Sequence, residues 1–253
     1  MKNKKTVIIT GGNRGIGLGI TKVFLNNDYN VFVGSRTGFS SKSLNTNLKS
    51  LNHLKIDVRN LSDHIKIAQK AIELTGTLDC YINNAGFSKW ASISKIEEKF
   101  LTNILDTNLK GVFWGCKAAA KYLKSENPSI INISSLAGKR GSSNNSAYVA
   151  SKFGVNGLTQ SLAKELGQKK IRVNAVCPVL ISTEGLISAL EEKEAPGKKG
   201  AIKFIKKFSK NNSPLNRMPT SYEVGEMCLY LASHKASAIT GQCINVDCGV
   251  LPQ

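Results

Sequence analysis

The chain reads as an α/β protein built on a parallel, doubly wound sheet. Three observations predict this. Short apolar or β-branched runs, Thr6-Val7-Ile8-Ile9 first and Ile130-Ile131-Asn132-Ile133 later, alternate with stretches of helical periodicity. The first run leads straight into a glycine-rich loop where a helix begins. Tyr148 and Lys152 lie four residues apart, the spacing that puts two side chains on one helix face.

Bulk properties narrow the class. A chain of 253 residues suits one domain of this type. The composition, 41% hydrophobic and 21% charged, is globular, and no apolar run approaches the roughly 18 residues of a membrane span. Met1-Lys2-Asn3-Lys4-Lys5 precedes too short an apolar stretch for a secretory signal, so a cytoplasmic location is expected. The six cysteines are scattered, with no C-x-x-C pair; Cys243 and Cys248 flank a strand too long to bridge, so reduced thiols are expected. His53, His64 and His234 have no ligand spacing, and no metal is predicted. A net charge of +18 first suggests nucleic acid. The basic residues are spread along the chain, however, which describes an excess of solvated lysines that favours anionic cofactors and substrates without a nucleic-acid partner.

Taken in order, Thr6 to Ile9 is a fully buried type of strand. In Thr10-Gly11-Gly12-Asn13-Arg14-Gly15-Ile16-Gly17, Gly11 permits a tight turn, while Gly15 and Gly17 let backbone approach a pyrophosphate at the helix N-terminus. The second strand, Asn30 to Ser35, ends where a dinucleotide fold reads the ribose 2′ position. The acid that would accept from a 2′-hydroxyl is missing. Ser35 stands there, followed by Arg36, and Arg14 adds a second cation, which matches the 2′-phosphate of NADP better than NAD. Thr37 to Ser50 reads as loop, and the third strand is expected to end at Asp57-Val58. A helix over 62–75 and a strand over 78–82 lead to Asn83-Asn84-Ala85-Gly86, either a ligand-binding strand end or a plain turn. Helical pattern runs from about Ile96 to Leu123 and carries Asn108. After the Ile130 run come Ser135, a polar loop over 138–146, the Tyr148 helix, and a strand from Ile171 to Cys177. The segment 184–214 is an insertion in which Ala201, Phe204, Ile205 and Phe208 form an apolar stripe, with Lys199, Lys203, Lys206, Lys207 and Lys210 on other faces. Such a helix is expected either to cap the site as a mobile lid, its lysines favouring an anionic substrate or carrier, or to be a surface helix with a solvated lysine face. A helix from Tyr222 to Ala232 and a strand from Gln242 to Val246 close the chain.

The chemistry centres on Tyr148. A phenol titrates near 10, and an ammonium held beside it, here Lys152, is expected to lower that value. Ser135 follows the carboxyl end of its strand, thirteen residues before the tyrosine. A hydroxyl there can hold a carbonyl oxygen while the tyrosine gives it a proton, which is half of a ketone reduction.

The glycine loop, Asn83-Asn84-Ala85-Gly86, Asn108, Ser135 and Tyr148-x-x-x-Lys152 together resemble the short-chain dehydrogenase/reductase family, in its order and spacing, over nearly the whole length. The resemblance implies a Rossmann-type sheet of about seven strands with helices on both faces. It makes 1–253 one dinucleotide-binding oxidoreductase domain, with 184–217 as a substrate-loop insertion. It implies that Ser135 polarises the substrate oxygen, Tyr148 is the acid/base, Lys152 tunes it and holds the ribose, and Asn108 holds a water in a proton relay. Gly11, Asn13, Arg14, Gly15, Ile16, Gly17 and Arg36 would seat the cofactor phosphates, and Asp57 and Val58 would border the adenine. Asn83 and Asn84 would tie the sheet and meet the ribose, Thr183 would hold the carboxamide, and Ala85, Gly86 and Ile181 would also bind the cofactor. The implied activity is hydride transfer between nicotinamide, NADP(H) in preference to NAD(H), and a carbonyl or secondary alcohol. The substrate is a 3-oxoacyl thioester or a sugar, polyol or hydroxy-ketone, anionic and carrier-bound forms included. A homotetramer or homodimer is also implied. Two departures stand out: Val179 replaces a usual glycine beside the nicotinamide, and Pro128-Ser129 replaces the Gly-Arg of many acyl-carrier reductases. The competing class is a non-catalytic dinucleotide-binding sensor or interaction module, which has no need of a tuned phenol. A hydrolase lacks its Gly-x-Ser-x-Gly elbow here.

Overall fold

The structure, a computed structural model, describes residues 4–39 and 48–252. Seven strands form one parallel sheet in the order β3-β2-β1-β4-β5-β6-β7. They are β1 (Thr6–Thr10), β2 (Asn30–Ser35), β3 (Leu51–Lys55), β4 (Cys80–Asn83), β5 (Ser129–Ile133), β6 (Arg172–Pro178) and β7 (Cys243–Val246). The order reverses between β1 and β4, which are paired Val7 to Cys80 through Ile9 to Ile82, so the crevice for a ligand opens at the carboxyl ends of these two strands.

Burial explains the apolar runs. Every residue of β1 and β5 is buried, because helices cover both faces of the sheet. On one face, helices α1 (Gly15–Asn26) and α8 (Ser221–Ala232) pack Ile20, Phe24, Val224 and Leu231 against Val7, Ile9 and Val33. On the other, α2 (Leu61–Thr75), α4 (Gly111–Tyr122) and α5 (Ser146–Leu166) pack Ile67, Val112 and Val155 against Ile8, Tyr81 and Ile130. Each such isoleucine or phenylalanine contributes about 1.5–3 kcal/mol by leaving water. Arg172, at the start of β6, is a buried cation with a structural role, donating to Asn127 Oδ1 (3.3 Å) and to the carbonyls of Ser233 (3.4 Å) and Ile239 (3.5 Å).

Several boundaries differ from the sequence reading, with physical causes. The third strand stops at Lys55 rather than at Asp57-Val58. The Asp57 carboxylate accepts the Arg59 backbone N–H at 3.0 Å and its carbonyl accepts that of Asn60, so the chain turns out of the ladder toward α2. The helical stretch expected over 96–123 runs unbroken from Glu98 to Tyr122, as α3 (Glu98–Leu105), a π-helical turn (Asp106–Lys110) and α4, with helical dihedrals at both joins. Most of the loop expected between Thr37 and Ser50, residues 40–47, lies outside the described residues, as do Met1 to Asn3; Leu48–Ser50 is a short 3-10 turn. The insertion carries α6 (Glu184–Leu190) and α7 (Ala201–Asn212). Its apolar stripe packs as expected, with Leu190, Ala201 and Ile205 gathered around Trp90 and Phe204 beside them, while the lysines face out. A Lys95–Glu194 ion pair of 2.6 Å and an Asn144 Nδ2 to Glu194 carbonyl bond of 3.3 Å hold the insertion to the body.

Candidate active site

The glycine loop is built for close approach. Gly11 has φ +65° and donates to the Gly34 carbonyl at 2.7 Å, fixing the turn from β1 against β2. A Cβ on Gly17 would strike the Gly11 carbonyl, so only glycine fits. Arg14 at the N-cap of α1 makes no side-chain cap and the first turn holds no acid, which leaves the first-turn N–H groups of Gly15, Ile16 and Gly17 for an outside acceptor. These residues fit the pyrophosphate of a dinucleotide. Around them, Asn13 Nδ2 donates to Thr37 Oγ1 (3.0 Å), and Asn84 Nδ2 to the carbonyls of Thr10 (2.9 Å) and Gly11 (3.2 Å). Thr10 Oγ1 accepts from the backbone N–H of both Asn84 (3.0 Å) and Ala85 (3.1 Å), locking the ends of β1 and β4 together. Thr183 caps α6 by accepting from Leu186 N–H at 3.2 Å. Its methyl lies 3.6 Å from where a Gly15 Cβ would sit, so the buried Ile181 and Thr183 border the same seat.

Of the other expected cofactor residues, Asn83, Asp57 and Val58 already have partners within the chain. Asn83 is buried in the sheet, donating to Asn132 Oδ1 at 2.9 Å, and Asn132 in turn donates to Thr159 Oγ1 at 2.9 Å. Its side chain ties the sheet. Asp57 is spent on Arg59, whose Nε lies 3.0 Å from both carboxylate oxygens, and this pairing holds its carboxyl below the usual range. Val58 is buried, and its carbonyl is fixed by His64 Nε2 at 2.8 Å. Arg14 and Arg36 are both exposed, the condition under which they meet a ligand phosphate. Beside them Ser35 donates to the Thr37 carbonyl at 2.7 Å, so it accepts from His53 Nε2 at 2.9 Å. His53 was invisible in the sequence because it comes from β3, set against Val33 by strand register.

The tetrad converges at the carboxyl ends of β4 and β5. Ser135 follows β5, and its Oγ accepts from Ala137 N–H at 3.1 Å, which leaves the hydroxyl proton free to donate. Tyr148 stands in the first turn of α5. Lys152, 4% exposed, donates to the last carbonyl of β5, Ile133, at 2.8 Å, and its Nζ lies 5.7 Å from the Tyr148 ring centre. Asn108 is fully buried inside the π turn; its Oδ1 accepts from Phe87 N–H at 3.0 Å and its Nδ2 donates to the Phe87 carbonyl at 2.8 Å. Ser151, missed in the sequence although it sits inside the Tyr148–Lys152 motif, donates to the Tyr148 carbonyl at 2.6 Å and accepts from Asn108 Nδ2 at 3.4 Å. A Cβ on Gly86 would lie 3.1 Å from Asn108 Oδ1 and 3.8 Å from Lys152 Nζ, so the missing side chain leaves a small polar gap between them.

The acidities correct one expectation. Burial pushes the Tyr148 hydroxyl above its ordinary value, and the Ser135 hydroxyl only partly offsets this. The Lys152 ammonium, 5.7 Å from the ring centre, is turned to the Ile133 carbonyl and is itself lowered to about 8 by desolvation, so it does not outweigh burial at the phenol.

Residues 11–251 match the family described as enoyl-(acyl carrier protein) reductase. The chain belongs to the short-chain dehydrogenase/reductase family. Among its relatives, a 3-oxoacyl-[acyl-carrier-protein] reductase of Chlamydia muridarum is 33% identical over 252 residues, 97% of each chain. Among solved structures, Thermoplasma acidophilum aldohexose dehydrogenase in ligand-free form is 31% identical, with a TM-score of 0.87 over 99% of this chain and 98% of that one. A variant of actinorhodin polyketide ketoreductase solved with NADPH is 30% identical, with a TM-score of 0.88 over the same shares. The chain is therefore an oxidoreductase of the short-chain dehydrogenase/reductase family, and among its described residues no helix is long and apolar enough to cross a membrane.

Proposed function

We propose that this short-chain dehydrogenase/reductase transfers hydride between NADP(H) and a carbonyl or secondary alcohol, with Tyr148 as the proton donor in reduction. The observation that carries this reading is the meeting of Ser135, Tyr148, Lys152 and Asn108 beside an uncapped, glycine-lined helix N-terminus. Gly11, Gly15, Ile16 and Gly17 would hold the pyrophosphate, and Arg14 and Arg36 the 2′-phosphate. When bound, the nicotinamide supplies or takes the hydride. The chain's own residues do the rest. Ser135 donates its free hydroxyl proton to the carbonyl oxygen and fixes its position. Tyr148, protonated at neutral pH, releases its proton to that oxygen as negative charge grows on it. The Lys152 ammonium stabilises the phenolate left behind. A water in the gap by Gly86 would bond Asn108 and Lys152 and return the proton.

Two substrate classes have support from the company the chain keeps: a 3-oxoacyl thioester, from the acyl-carrier reductase relative, and a sugar or polyol, from the aldohexose dehydrogenase neighbour. Purified protein given NADPH and a panel of 3-oxoacyl thioesters, hydroxy-ketones and sugars is expected to oxidise the cofactor with at least one class. No turnover in either direction with any of them, despite tight NADPH binding, would leave the dinucleotide-binding module as the better description.

A further inference from the structure

Arg36 stands at the tip of a turn that the chain fixes from three sides. Within the turn, the Ser35 hydroxyl donates to the Thr37 carbonyl at 2.7 Å, closing the backbone around the arginine between them. From the glycine loop, Asn13 Nδ2 donates to Thr37 Oγ1 at 3.0 Å, which ties together the segments that carry Arg14 and Arg36. From the edge strand β3, His53 Nε2 lies 2.9 Å from Ser35 Oγ. We propose that His53 is a positioning residue that sets cofactor choice. By holding Ser35 it keeps Arg36 at the 2′-phosphate of NADP(H) and keeps the serine from serving the 2′-hydroxyl of NAD(H); this inference rests on the function proposed above.

The hydrogen-bond accounting gives the direction of the effect. A serine hydroxyl has one proton to donate, and Ser35 gives its proton to Thr37. Ser35 Oγ is therefore the acceptor toward His53, whose imidazole carries its proton on Nε2. Burial pushes that imidazole below its ordinary value, so it is neutral at pH 7 and the bond has ordinary neutral strength. Dinucleotide folds meet the 2′-hydroxyl of NAD with an acid at this strand end. Here that hydroxyl finds a serine already engaged as donor and as acceptor, while the exposed guanidinium of Arg36 is offered to a phosphate.

His53 is itself held in place. Strand register sets it opposite Val33, two residues before Ser35 on the same face of the sheet, so imidazole and hydroxyl meet diagonally between β3 and β2. Phe39, two residues past Thr37, lies edge-to-face with the imidazole at 6.5 Å between ring centres. With the imidazole gone, Ser35 Oγ loses a partner in a place only 8% exposed, and the hydroxyl is released to turn from Thr37 toward the ribose.

The test measures dissociation constants of NADPH and NADH by fluorescence titration of the full chain. The variants are His53→Ala, His53→Gln, Ser35→Ala and the double variant of His53→Ala with Ser35→Ala. His53→Ala is expected to weaken NADPH by about tenfold and NADH by less than about twofold. His53→Gln, whose amide N–H stands in for Nε2–H, should return most of the lost preference. Ser35→Ala should match His53→Ala, with the double variant no weaker than either, because the two residues act through one bond. A loss shared equally by both cofactors, a preference untouched by His53→Ala, or additive losses in the double variant each overturns the inference. Should His53→Ala fold poorly, His53→Gln decides. If that variant melts like the native protein yet has lost the preference, His53 does not act through its bond to Ser35. Failure of the broader reading looks different: native protein that binds NADPH and NADH equally removes the 2′-phosphate assignment itself, before any variant is made.

Discussion

At Tyr148 two influences on a phenol's acidity oppose each other, and burial prevails. The tyrosine is protonated at neutral pH, as a donor in reduction must be, so Tyr148→Phe is expected to lower kcat by ~10³-fold. Cofactor affinity, read by fluorescence titration with NADPH, should stay near native. Lys152 adds a pH signature. Its folded value of about 8 lies below the ordinary 10.5, so between these pH values the unfolded chain holds the extra proton and this group's contribution to stability rises with pH. The activity runs the other way. As the ammonium is lost through about pH 8, kcat/KM for reduction should fall, and thermal melts over the same range are expected to give no matching loss of stability. A profile flat from pH 7 to 10 would remove Lys152 from the mechanism. Arg36 is exposed beside the Ser35–His53 pair, and Arg36→Asp is expected to raise KM for NADPH by about tenfold to a hundredfold with little change for NADH. Equal use of both cofactors by the native enzyme would contradict the 2′-phosphate reading.

At the scale of elements, the π turn and the Gly86 strand end act as one device. The wider turn carries Asn108 inward, and its amide clasps both backbone groups of Phe87, one residue beyond Gly86. Gly86→Ala would press a methyl against Asn108 Oδ1 at 3.1 Å and fill the gap toward Lys152. The expected outcome is a stability cost of about 1 kcal/mol but a fall in kcat larger than that cost implies, checked by urea melts and steady-state rates on the same variant. This device also marks the limit of the sequence. The strands, the glycine loop and the tetrad were legible because fully buried β-branched runs and glycine, serine, tyrosine and lysine at fixed spacings leave local marks. The π turn within the 96–123 helix was not, since the pull on Asn108 comes from Phe87, outside that helix. The same holds for His53 behind Ser35, whereas the expected sheet tie at Asn83 is seen in its bond to Asn132 on the neighbouring strand.

For the whole molecule, surface left uncovered speaks of copies. Phe113 on α4 and Phe153 on α5 are each 47% exposed, and the two helices lie on the same face of the sheet. Large aromatic rings in such positions are what a symmetric interface buries. Light scattering at micromolar concentration is expected to give a dimer or tetramer, and Phe113→Lys with Phe153→Lys should shift it toward monomer; a native protein that is monomeric would refute this. The strand order has a different consequence, for how the chain comes to be active at all. β1 meets β4 across some seventy residues, and among the described residues every strand pairing is parallel and no hairpin offers a starting point. The glycine loop follows β1, whereas Asn108, Ser135, Tyr148 and Lys152 all come after β4. A nascent or refolding chain therefore has the loop proposed to hold phosphate before the proposed proton donor, and turnover waits on closure of the sheet's two halves.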